Sequence, residues 1–215
     1  MKFNRLAISL AAAVAVCAAT AAPARAYDLP RGESEALGDC QAAFAAPLFR
    51  KTVDPATGAD LFVDAVWYAI AGVKTRPDGE IMTVLGSAFD NIAQGRTPVI
   101  DDAANVRRAC IARWPASGQR AGGVPLPRDQ FKSATTCLAL AALVNGLIET
   151  VDAPVLLGRS KRVISKVSAK LSDADFAAQG FATDQQIVSL LGRRIVESHV
   201  IGNPRDVLLA CDNAL

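Results

Sequence analysis

Histidine is almost missing from this chain: His199 is the only one in 215 residues. No two cysteines are spaced as CxxC, so the usual ligand sets of a zinc site are not present. The sequence has no G-x-S-x-G elbow, no G-x-x-x-x-G-K-[ST] loop, no H-E-x-x-H, no S-x-x-K and no G-x-G-x-x-G. His199 is thus the only conventional general base, and no serine or cysteine is visibly placed beside it. The reading is a protein that is not an enzyme, with no catalytic residues, no metal and no cofactor. His199 itself is read as structural or surface.

Long apolar runs are scarce too. Beyond the first 26 residues nothing approaches the roughly 18 consecutive apolar residues of a membrane helix. The richest stretch, Cys137 to Ile148, is short and contains Asn145. Runs of alternating apolar and polar residues between hairpin turns are also missing, which argues against a sheet. Aromatic residues make up only 6% of the chain, and Phe62, Trp67, Tyr68 and Phe89 read as ordinary core or as the wall of an apolar ligand site.

What is present begins with an export signal. Lys2 and Arg5 precede an apolar run from Leu6 to Ala22, and Ala24-Arg25-Ala26 offers a small-x-small cleavage site. Residues 1–26 are read as a cleaved signal peptide, with the mature chain starting at Tyr27 in a periplasmic or secreted location. Acylation at Cys17 is disfavoured because Val16 stands where a small residue is required. Without Lys2, Arg5 and Arg25, the chain's 23 basic residues fall to 20 against 21 acidic ones. A nearly neutral mature protein gives no electrostatic reason to expect nucleic acid.

Four cysteines remain after cleavage, Cys40, Cys110, Cys137 and Cys211, an even number in an exported chain, where disulfides persist. They fall into a repeat. VIDDAANVRRAC, Val99 to Cys110, is echoed without a gap by VIGNPRDVLLAC, Val200 to Cys211. Asp102 and Asn203 correspond, both suited to capping a helix, and Pro204 fits a first helical position. Val106 and Cys110, like Val207 and Cys211, are spaced i, i+4 on one helical face. Upstream, Cys40 leads through a helical run to KTVDP, and Cys137 through a similar run to ETVDAP.

The pairs Cys40/Cys110 and Cys137/Cys211 are separated by 70 and 74 positions. A tandem duplication favours disulfides within each half, Cys40–Cys110 and Cys137–Cys211. The expected architecture is all-α: two tandem disulfide-stapled helical bundles of about four helices each. Residues 27–114 are the N-terminal repeat and 130–215 the C-terminal repeat. Residues 115–129, with three glycines and three prolines, are an exposed linker between them. Whether the halves form one core or two is left open.

Helix signals fill in the rest. The spacing of Leu61, Phe62, Ala65, Val66, Ala69 and Val73 predicts a second helix after DPATGAD. Pro77 stops it, and Asp78 is read as the cap of a third with Ile81, Leu85, Ala88, Phe89 and Ile92 inward, ending at Gly95. Ser172 to Asp175 and Thr183 to Gln186 are capping boxes. Asp54 and Asp152, repeated in Thr-Val-Asp, are read as caps rather than as a glycosidase-like carboxylate pair.

The most specific surface feature is the basic helix PVLLGRSKRVISKVSAKL. Arg159, Arg162, Lys166 and Lys170 lie on one stripe with Lys161 beside it, and no acidic residue interrupts them. The bland reading is a solvated helix face. The functional reading is a partner-binding surface for another protein of the cell envelope, or for an anionic membrane surface. The functional expectation is therefore an exported protein-binding module of immunity, inhibitor or chaperone type. The alternatives are a periplasmic carrier of an apolar ligand or lipid and, last, an enzyme with an unrecognised site.

Overall fold

Apolar side chains repeated every three to four residues can be buried together only on helices, and that spacing recurs in both halves of the chain. A computed structural model describes residues 27–49, 53–94, 96, 100–118, 123–148 and 153–215, and among these it is all-helical. The first half holds α1 (Glu33–Ala45), α2 (Pro55–Gly72), α3 (Asp78–Ala93) and α4 (Ala103–Arg113). The second holds α5 (Gln130–Ile148), α6 (Pro154–Ser168), α7 (Asp173–Ala178), α8 (Asp184–Ile201) and α9 (Pro204–Ala214). The signal segment, Gly95, Val99 and Asp152 lie outside the described residues.

Chain punctuation explains the boundaries. Asp54 accepts a hydrogen bond from the Thr57 N–H and Pro55 occupies the first helical position, so α2 begins before the apolar spacing becomes evident. Asp102 caps α4 through the Asn105 N–H, and Asn203 caps α9 through the Arg205 N–H with Pro204 at the first position. Both capping boxes form, at Ser172/Asp175 and Thr183/Gln186. Asp78 departs from its expected role: it is the first residue of α3 rather than its cap, and its carboxylate takes the Arg193 guanidinium of α8 at 2.5 Å.

The disulfides are Cys40–Cys110, joining α1 to α4, and Cys137–Cys211, joining α5 to α9. In each half the first and last helices are therefore stapled together, as the repeated ending implies. Among the described residues the helices between them differ, two in the first half and three in the second, and a common origin of the halves has only the repeated sequence to support it.

The two staples do not enclose separate cores. Along α2, from Phe62 to Ala71, almost every residue is buried, whichever way it points; a helix apolar all round must be wrapped on all sides. Helix α2 packs against α1 and α3 of its own half and against α8 and α9 of the other. Its Trp67 indole N–H donates to the His199 carbonyl at 3.0 Å, and its Tyr68 hydroxyl shares a 2.7 Å hydrogen bond with Ser117. One continuous apolar cluster runs from Leu37 to Cys211.

The segment expected to be an exposed linker contributes to this core. Pro115–Ser117 forms a 3-10 turn with Ser117 buried, and Val124 is buried against Gly202. A Cβ at Gly202 would lie 2.6 Å from Val124 Cγ1, so only glycine permits that approach. The physical reason is the shared core: a chain crossing between fused halves is pulled down onto their seam and must bury part of itself there. Residues 119–122 lie outside the described residues.

Candidate binding site

The basic stripe is mostly spoken for inside the molecule. Arg162 donates to Asp212 Oδ2 through Nη2 at 2.8 Å and Nε at 3.3 Å. Lys166 donates to Asp212 Oδ1 at 3.1 Å and to the Asp212 carbonyl at 2.6 Å, and Lys170 reaches the Leu215 carbonyl at 3.0 Å. All three sit at the C-terminal end of α9, where the helix dipole and exposed carbonyls favour cations. The Arg162 hydrogen bond, with help from Lys166, holds the Asp212 carboxyl below its ordinary range. This part of the stripe docks α6 onto α9, a role that charge and spacing in α6 alone could not reveal.

Arg159, the fourth residue of the stripe, is placed differently. It lines an apolar groove between the N-terminal ends of α2 and α6, with a volume of about 400 Å³. Pro55, Ala56 and Ala59 form one wall, and Pro154, Val155 and Leu156 the other. Val155 is 76% exposed, the most open of the large apolar side chains among the described residues. Arg205, from the first turn of α9, lines the same groove, its guanidinium paired with Asp60 at 3.1 Å and 3.9 Å from Asp64. Arg159 makes no ion pair among the described residues. The Nε atoms of both arginines are buried without a hydrogen-bond partner.

Behind Arg205 lies a junction between the halves. Asn203, fully buried, donates to Asp64 Oδ1 at 2.6 Å and to the Ser117 carbonyl at 2.8 Å while capping α9. Asp64 is only 21% exposed. Burial raises its carboxyl to about 6; Arg205 and the Asn203 hydrogen bond oppose that rise, and neighbouring Asp60 and Asp206 add to it. A carboxyl with a raised pKa binds its proton more tightly folded than unfolded. On this group's account, stability falls as pH rises from about 4 to 6, and the full cost remains above that window.

Asp64→Asn is therefore expected to match the wild type at pH 4 and to exceed it by roughly 2–3 kcal/mol at pH 7. Thermal unfolding of both proteins across that range checks it. A variant less stable than wild type at pH 7 would mean that the attraction of Arg205 for the carboxylate outweighs its burial.

Other features of the sequence also have definite places. Phe62, Trp67, Tyr68 and Phe89 are core: Trp67 meets Tyr68 edge-on at 5.0 Å, and Phe44 stacks on Tyr68 at 5.2 Å. The His199 ring, half-buried, hydrogen-bonds through Nδ1 with the Val196 carbonyl and lies 6.0 Å from Trp67. All four cysteines of the described residues are consumed in disulfides, which place the protein in an oxidising compartment outside the cytoplasm. No helix among the described residues is long and apolar enough to cross a membrane.

A second, wider groove of about 920 Å³ runs between Pro125–Pro127 and the end of α8, beside exposed Val200. Two of its cations are neutralised locally, Lys74 by Glu33 at 2.6 Å and Lys132 by Glu197 at 3.0 Å. The groove at Arg159 was not legible beforehand because its walls come from positions about 100 residues apart. The only signal in the sequence was the lack of any acidic residue along α6. Comparison with family models, curated proteins and solved structures finds nothing that this chain matches.

Proposed function

We propose that the protein is an exported, non-catalytic binding protein of the cell envelope, periplasmic or secreted, that holds an acidic partner protein against the N-terminal end of α6. The observation that carries this reading is the joining, in one patch, of open apolar surface and a cation that has no carboxylate partner among the described residues. Val155 and the groove wall supply the first, and Arg159 the second. Protein contact sites draw their energy from a few such anchors, among which arginine is enriched, and charge complementarity selects the partner. The two staples and the shared core hold the patch on rigid elements, which lowers the ordering cost of binding.

Arg162 and Lys166 are poor positions for testing this surface, because reversing their charge would set them against Asp212 and loosen α9. Val155→Asp with Arg159→Glu changes the patch and breaks no ion pair among the described residues. In envelope extracts, a stoichiometric acidic protein captured by the wild type is expected to be lost at least tenfold in this double variant and kept by an Arg108→Glu control on α4. Equal capture by the double variant would sink the assignment of the surface. A co-purifying lipid in place of a protein would favour a carrier.

A further inference from the structure

We infer that Asp64, Asn203 and Arg205 form a proton-operated latch at the seam between the two halves, closed over a neutral Asp64 and opened locally when Asp64 ionises. The rest of the fold stays intact as it opens, and the device does not depend on the binding role of the α6 face. Three separate stretches of chain meet in the side chain of Asn203, which is fully buried. Its amide donates to Asp64 Oδ1 on α2 at 2.6 Å and to the Ser117 carbonyl of the crossing segment at 2.8 Å. Its Oδ1 accepts the Arg205 N–H of α9 at 3.0 Å. Both amide hydrogens are thereby used, and closing the seam draws Asp64 inside with them, to 21% exposure.

A carboxylate in that position needs a cation, and the one beside it is committed elsewhere. Arg205 pairs with Asp60 at 3.1 Å and stands 3.9 Å from Asp64. The hydrogen bond that Asp64 accepts comes from a neutral amide. Burying a charge without a close counter-ion is costly, whereas a neutral carboxyl keeps the Asn203 bond on Oδ1 and carries its proton on Oδ2. Burial, joined by the charges of Asp60 on α2 and Asp206 on α9, raises the carboxyl to about 6 against the pull of Arg205 and Asn203. Around this cluster, burial pushes the Tyr68 hydroxyl further up, so it stays neutral. The His199 ring of α8 lies 6.0 Å from Trp67, and Arg159 of α6 lines the groove that Asp60 and Arg205 also line.

Opening hydrates Asp64 and returns its carboxyl towards its ordinary value, about 4. The proton therefore favours the closed seam; the penalty on closure grows as pH rises from about 4 to 6 and is complete above that window. Between pH 4.5 and 7 the opening constant is expected to rise roughly 20-fold.

Amide hydrogen exchange of the full chain from Tyr27, corrected for the pH dependence of exchange in free peptides, reads that opening. Its reporters are Ser117, Arg205 and Val207, whose N–H groups are held by the Trp114 carbonyl, the Asn203 side chain and the Asn203 carbonyl. Leu140 and Ala141, fully buried in α5, report unfolding of the whole molecule. The seam amides are expected to exchange at least tenfold faster than those of α5 at both pH values. Their protection should fall tenfold or more from pH 4.5 to 7 in the wild type and stay level in Asp64→Asn, which still offers Asn203 an acceptor. Asp60→Asn, which frees Arg205 for Asp64, is expected to lower the pH at which protection is lost. Seam amides sharing the protection of α5 would show that the halves part only by global unfolding, and would overturn the latch. So would no fall in the wild type, an equal fall in Asp64→Asn, or a midpoint in Asp60→Asn at or above that of the wild type.

Discussion

Replacing Cys137 and Cys211 together by alanine is expected to lower the stability of the folded protein by about 4 kcal/mol and its melting temperature by roughly 10 °C. The bridge closes a loop spanning 74 positions, so most of the effect comes from the freedom an uncrosslinked unfolded chain regains. Alanine is the better replacement because both cysteines are fully buried, and a serine hydroxyl would add the cost of an unpaired polar group. The same change at Cys40 and Cys110, separated by 70 positions, should cost nearly as much, since the entropy depends only on the logarithm of loop length. Denaturant unfolding without reductant measures both. A loss below about 1 kcal/mol would mean that native-state strain at the bridge cancels the gain.

Trp67→Ala is expected to cost a further 3–5 kcal/mol, the range for emptying a large buried aromatic site. The ring is 2% exposed, packs on Tyr68, and spends its N–H on the His199 carbonyl of α8. Removing it opens a cavity and also strands a carbonyl at the seam between the halves. Trp67→Phe, which keeps most of the volume and loses the donor, should fall well short of that cost. A Trp67→Ala loss near 1 kcal/mol would show that the contact between halves contributes little, and that each half is stable on its own staple.

The local grammar of the fold was legible because each signal is carried by neighbouring residues. Asp54, Asp102, Asn203, Ser172 and Thr183 all cap helices as their surroundings imply, and the repeated endings indicate which cysteines join. What the sequence could not convey involves residues far apart along the chain. Asp212 takes up Arg162 and Lys166 across 50 and 46 positions, which turns most of an apparent docking stripe into an internal clamp. Asn203 holds Asp64 from 139 positions away.

The differences between the two endings become intelligible only at this distance. Where the first has Asp101-Asp102, the second has Gly202-Asn203. Gly202 admits Val124, and the amide of Asn203, unlike a carboxylate, can donate to Asp64 and to the Ser117 carbonyl. The second ending is thus written to receive the chain that crosses between the halves. Periodicity reports that a residue is buried and does not report what buries it, so a composition break at 115–129 read as open linker although Ser117 and Val124 are inside.

The proposed binding role depends on whether the α2/α6 groove is occupied in living cells. Its most direct test is a photoreactive side chain at Val155, activated in intact cells, with the same group at Val188 on α8, also exposed, as a control. The account predicts one discrete protein adduct from position 155, diminished by Arg159→Glu, and none of that size from position 188. The same adducts from both positions, or none from 155, would contradict it.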